Sequence, residues 1–213
     1  MKTVVLLVFS TAIAVAGCKK TEDQPDRASA APTTSAEPRS APTAEADRVE
    51  VLARHRAVAG QEDLDADPVV VHFDRFVVTK AGFDPKHLEG GTATIELDMT
   101  SIKTGSEERD NDLKSPDYID VGRFATATVD VTNVKLQAAT TYTADVTVAF
   151  RGLTKTYSVT FAVIATTETS VRIKGEHTFS RLDFAVGIDP AKDPSERIDA
   201  PLVIQWVLTL KAT

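Results

Sequence analysis

One thiol, four imidazoles and two runs of carboxylates are the groups in this 213-residue chain whose types could do chemistry. The imidazoles, His55, His72, His87 and His177, stand far apart and at no metal-ligand spacing. The runs Glu107–Asp112 and Asp189–Asp199 lack the alternating oxygen ligands of a calcium loop and are expected to be solvated loops. The chain has no Gly-x-Ser-x-Gly elbow, no phosphate cradle ending in Gly-Lys-Ser/Thr, no Cys-x-x-Cys and no His-Glu-x-x-His. No catalytic group, metal or cofactor is therefore expected, and the chain reads as a non-enzyme. A hydrolase or isomerase acting on a bound lipid is the weakest of the readings. The thiol is different. Cys18 is the only cysteine, so it cannot staple the chain to itself, and it stands directly after Gly17 at the end of an apolar run.

The segment that positions Cys18 has a recognisable layout. Lys2 supplies a positive start, Val4 to Ala16 form the apolar stretch, and small residues precede the cysteine, as in a cleaved export signal. A membrane-spanning helix needs about 20 apolar residues, and this run is shorter and interrupted by Ser10 and Thr11. Val15-Ala16-Gly17-Cys18 resembles the lipobox of bacterial lipoproteins. That resemblance implies a signal peptide over 1–17 and Cys18 as the lipid anchor that holds the chain on a membrane. Each buried methylene contributes roughly 0.8 kcal/mol, so two or three acyl chains hold where one would not. Lys19 stands where an Asp would retain the protein at the inner membrane. The expected location is the cell envelope, on the periplasmic face of the outer membrane in a cell with two membranes.

Behind the anchor, residues 18–47 form a tether. From Lys19 to Asp47 the chain is Ala, Pro, Thr, Ser and charge, punctuated by Pro25, Pro32, Pro38 and Pro42, with no aliphatic side chain larger than Ala. Such a stretch cannot bury enough apolar surface to offset its ordering entropy, and disorder is expected. Residues 48–213 are long enough for one domain with a sizeable core. The net charge of −7 and the lack of a basic stripe with interleaved aromatics exclude nucleic acid as an expected partner.

Within that domain the apolar period is two, the period of strands. Tyr142, Ala144, Val146, Val148 and Phe150 alternate with polar or small residues; Tyr157, Val159, Phe161 and Val163 follow a turn at Arg151-Gly152. Val171, Ile173, Gly175, His177 and Phe179 form another row, and Leu202, Ile204, Trp206, Leu208 and Leu210 a last one. Val49–Arg56, Val69–Val78, Thr92–Met99 and Phe124–Val134 are earlier candidates, giving about eight strands in all. Helical signal is limited to Glu107 through Leu113, before Pro116, and a weaker turn around Ala81–Leu88. The fold class is all-β: an antiparallel barrel of about eight strands with one or two short helices. An apolar inner row serves equally as filled core or as the wall of a cavity.

Ser101-Ile102-Lys103-Thr104-Gly105, then Arg109-Asp110, Leu113, Ser115, Asp117-Tyr118 and Ile119-Asp120, resemble the long loop of the YceI-like family of polyisoprenoid-binding proteins. Gly152-Leu153-Thr154-Lys155 before a strand, and Phe179, Arg181, Asp183-Phe184 and Gly187 after one, extend the resemblance. It implies a lipocalin-like barrel whose lumen holds an isoprenoid or other long-chain amphiphile. The residues that would contact it, by strand parity, are Tyr142, Val146, Val148, Phe150, Phe161, Ile173, His177, Ile204, Trp206 and Leu208. The stretch from His55 to Gly91 is longer and more charged than the family's usual opening, with Gly82-Phe83 arriving late. Carriage or sequestration of a lipid in the envelope is the expected function, and a homodimer is compatible with it. The alternative is a structural or stress-related envelope lipoprotein with a filled core that acts through protein contacts.

Overall fold

The computed structural model describes residues 46–56 and 67–212. The expected signal peptide, Cys18 and all but the end of the tether lie outside the described residues.

The alternating segments become strands β1 (Arg48–His55), β2 (Val69–Phe73), β3 (Phe76–Asp84), β4 (His87–Asp98), β5 (Ile102–Lys103), β6 (Thr126–Ala138), β7 (Thr141–Phe150), β8 (Leu153–Thr166), β9 (Ser170–Ser180) and β10 (Ile198–Lys211). Every pairing is antiparallel, in one sheet of order β3-β4-β6-β7-β8-β9-β10-β1-β2-β5. The ten segments act as eight strands, because β2 bends into β3 at Asp74-Arg75 and β4 bends into β5 at Met99–Ser101. The two bends lie side by side. The Arg75 amide donates to Ser101 Oγ at 3.0 Å, the Asp98 amide donates to the Arg75 carbonyl at 3.1 Å, and the Arg75 guanidinium meets Asp98 at 2.8 Å. The bent pair therefore joins β1 on one side to β6 on the other, and the sheet closes on itself as a barrel.

Three expectations needed correction. The turn around Ala81–Leu88 is not helical but the β3–β4 hairpin, since Ala81, Gly82 and Asp84 pair with Ala93, Thr92 and His87. The single strand expected over Val69–Val78 is two segments, because the corner at Asp74-Arg75 breaks its alternation. The acidic runs are not wholly solvated. Glu107–Lys114 form helix α1, capped by Ser106, and Asp110 is buried, accepting from the Thr104 amide at 2.7 Å and the Thr104 hydroxyl at 2.8 Å. Burial pushes the Asp110 carboxyl upward, but these bonds and nearby Lys103 outweigh it and hold it below the usual range. In the second run Glu196 is buried against Arg181.

The strand order gives the barrel two unlike ends. One carries the short turns β3–β4, β6–β7 and β8–β9 together with the start of β1 and the end of β10. Lys86 and Glu168, at the tips of the first and third of those turns, meet at 2.8 Å across this end. The other end carries the long connections: β5 to β6, containing α1, and β9 to β10, which begins with a short 3-10 helix over Arg181–Phe184.

A hollow apolar lumen as candidate functional site

Side chains from every strand point into the barrel and enclose a cavity of about 300 Å³. Its wall is almost entirely aliphatic and aromatic, which is the lining of a site for an apolar guest. The solvent exposures of the inward side chains show where the hollow lies. Toward the short-turn end Val171, Leu208 and Leu210 are buried at 1, 6 and 8 % exposure, packed against one another and their neighbours. Toward the middle and the long-loop end Val146, Val148, Tyr157, His177, Phe179, Leu202, Ile204 and Trp206 are only half-buried although they face inward. Their free surface is the wall of the lumen.

Of the ten residues that strand parity places on the inner rows as ligand contacts, Val146, Val148, Phe150, Phe161, Ile173, His177, Ile204, Trp206 and Leu208 line this cavity. Tyr142 does not. It shares the inner row of β7 but stacks on Phe161, with ring centroids 5.7 Å apart and planes 16° from parallel. His177 meets Tyr157 ring to ring at 5.2 Å.

Sequence periodicity alone missed the long-loop end, because its residues belong to loops. Tyr118 and Ile119 from the β5–β6 connection, and Arg181, Phe184 and Val186 from the β9–β10 connection, close the lumen there. Arg181 is 2 % exposed. Its Nε donates to the Asp199 carbonyl at 3.1 Å, one terminal nitrogen to Val186 at 2.7 Å and the other to Ile198 at 2.8 Å, with the Glu196 carboxylate 3.8 Å away. Gly187 is required beside it: φ is +67°, and a Cβ there would lie 2.6 Å from the Arg181 guanidinium. Arg151, in the two-residue β7–β8 turn, ties both loops together by donating to the carbonyls of Tyr118, at 2.6 Å, and Ala185. A signal for this end did exist in the Asp117-Tyr118, Ile119-Asp120 and Arg181…Gly187 motifs.

Two polar side chains at the lumen, Tyr157 and Arg181, are already paired. The Tyr157 hydroxyl donates to Asp183 at 2.8 Å; burial, and then that carboxylate, push its ionisation far above the usual phenol range. Burial, and then the charge of Glu196, also raise Tyr118. Both phenols stay protonated. Among the described lining residues Arg181 is the only one with a permanent charge, and its donors are spent on carbonyls. No group of three or more His, Cys, Asp or Glu that could hold a metal occurs among the described residues.

Known proteins share this architecture. Burkholderia cenocepacia BcnA superposes with a TM-score of 0.64 at 20 % identity, covering 77 % of this chain and 96 % of its own. A polyisoprenoid binding domain from Saccharophagus degradans gives 0.58 at 13 % identity, covering 78 % and 94 %. A YCEI protein of Campylobacter jejuni gives 0.61 at 13 % identity, covering 70 % and 88 %. At these identities the likeness concerns the fold. In sequence, a UPF0312 protein of Ectopseudomonas mendocina is 33 % identical over 78 residues, which is 36 % of this chain and 40 % of that protein. A second UPF0312 protein, from Vibrio campbellii, is 35 % identical over 52 residues, 24 % and 28 % of the two chains. The matched stretches thus span well under two thirds of those relatives. The model of the YceI-like domain matches residues 45–207, nearly the whole barrel, and the chain belongs to that family.

Proposed function

We propose that the protein binds an isoprenoid or similar long-chain amphiphile in its lumen, to carry or sequester it in the cell envelope. The observation that carries this reading is the hollow itself. Inward residues of β7, β9 and β10 keep free surface inside a closed barrel, where a filled core would have buried them. An apolar cavity of this kind stays dry and takes apolar guests. The likeness to a polyisoprenoid binding domain supports the same ligand class. Binding without turnover fits an aliphatic wall on which Tyr157 and Arg181 are already paired. Titrating the protein with a long-chain polyprenol tests the reading, because Trp206 is the only tryptophan and lines the cavity. A saturable change in its emission is expected. No change, together with no lipid retained on purification from the native host, would leave the ligand proposal without support.

Membrane anchoring through Cys18 belongs to the same proposal and rests on the sequence of the first eighteen residues. Strand β1 starts at the short-turn end, so a tether from Cys18 would join the barrel there, opposite the loops that carry Arg181. Cys18→Ser is expected to abolish acylation and leave unprocessed precursor or a misrouted protein. Detergent partitioning reads this directly, and unchanged membrane retention in that variant would remove the anchor.

A further inference from the structure

Gly175 stands in the middle of β9, on the inner row, between Phe161 of β8 and Trp206 of β10. A glycine inside a strand weakens it and often marks a place where another group approaches the backbone closely. Here that group is the indole of Trp206. A Cβ built on Gly175 would lie 2.3 Å from Trp206 Cζ2, 2.9 Å from Cε2 and 3.0 Å from Cη2. The Cε2–Cζ2–Cη2 edge of the indole's six-membered ring therefore takes the space over the bare backbone of β9 that a side chain at 175 would fill. In a lumen of about 300 Å³ an indole turned inward would occupy much of the space.

We propose that the Gly175–Trp206 pair sets the bore of the lumen and with it the choice of guest. The proposal rests on the lipid-binding reading. With no side chain at 175, the indole lies against the wall and the hollow admits a methyl-branched chain. Any side chain at 175 displaces the indole toward the axis and narrows the bore, against branched chains first. Trp206 and Gly175 then form a matched pair, so a second change at 206 should cancel a first at 175.

The test is a titration of the full chain and its variants with tritiated geranylgeraniol and a straight-chain saturated alcohol of the same carbon count. The wild-type chain should bind geranylgeraniol. Gly175→Ala should weaken that binding by roughly tenfold or more, the effect of one misplaced methyl group in a tight pocket, and weaken the straight chain less. Gly175→Ala combined with Trp206→Leu should recover most of the lost affinity, because a leucine does not reach over position 175. Equal losses for the two alcohols in Gly175→Ala would mark a purely structural role and overturn the selection of guest. Thermal melting checks that each variant folds, and Gly175→Ala leaves an ordinary strand residue in ordinary backbone. Wild-type affinity in Gly175→Ala, or a double variant no better than Gly175→Ala alone, would overturn the pairing and leave lipid binding intact. Failure of the wild-type chain to bind either alcohol would overturn both.

Discussion

Replacing Arg181 by alanine should cost the barrel about 3–5 kcal/mol of stability, the usual penalty for breaking one partner out of a buried ionic cluster. The guanidinium is 2 % exposed and serves four acceptors at once: the carbonyls of Asp199, Val186 and Ile198, and the carboxylate of Glu196. Its loss leaves those carbonyls without their partner and takes from Glu196, 9 % exposed, the guanidinium 3.8 Å from its carboxylate. It also opens the long-loop end, because Arg181 is part of the cavity wall and holds the β9–β10 connection down on the first residues of β10. Urea unfolding should show a lower midpoint with little change in slope. Arg181→Lys should recover only part of the loss, since an ammonium cannot reproduce the planar fork that reaches acceptors on both sides. A change below about 1 kcal/mol in the alanine variant would mean that the cluster contributes no more than a surface contact.

Much of the barrel was legible in the sequence because a closed antiparallel sheet with an apolar interior writes the same two-residue period on every strand. The rows Tyr142–Phe150, Val171–Phe179 and Leu202–Leu210 lie within β7, β9 and β10. The signal failed where the barrel turns a corner. At Asp74-Arg75 and Met99–Ser101 two neighbouring strands bend together, and the stabilising bonds run between backbone groups, from a backbone amide to a serine hydroxyl, and from Arg75 to the Asp98 carboxylate, none of which leaves an apolar pattern. The β3–β4 hairpin was obscured for a related reason. Its register slips between Val78 and Lys80 and again between Gly82 and Asp84, so its alternation is broken twice in seven residues.

The lumen was legible in part. Parity identifies which side chains point inward, but whether inward side chains meet one another depends on how far apart the facing walls stand, and that is set by strand count and tilt. Tyr142 shows the limit. Its parity matches that of Val146 and Val148, yet it stacks on Phe161 and does not reach the hollow. The loop residues that close the far end follow no period. Their positions depend on capping bonds such as Ser180 Oγ accepting from the Leu182 amide at 3.2 Å and on the glycine beside Arg181. Acidic runs mislead in the same way, because composition alone cannot distinguish Glu107, on the surface, from Asp110, turned inward three residues later.

Val148→Asp should abolish most binding of an apolar chain, by a hundredfold or more, equivalent to about 2.8 kcal/mol. Val148 lines the lumen from β7, two residues before Phe150, and is half-buried on the side that faces the hollow. The two cations nearest that position are already engaged: Lys155, opposite Val148 on β8, faces Asp183 at 4.0 Å, and Arg181 is committed to its carbonyls and Glu196. While the lumen is empty the carboxylate keeps whatever water it can draw in; an arriving hydrocarbon must strip that water away, and desolvating an unpaired charge costs several kcal/mol. Val148→Asn separates charge from shape, since it keeps nearly the same volume and should lose much less. Thr147→Asp provides the outward control: Thr147 is the preceding residue of β7, and its hydroxyl pairs with that of Thr156 on the exposed face. Equal losses for Val148→Asp and Thr147→Asp would place the guest outside the lumen, whereas a loss confined to Val148 places it inside.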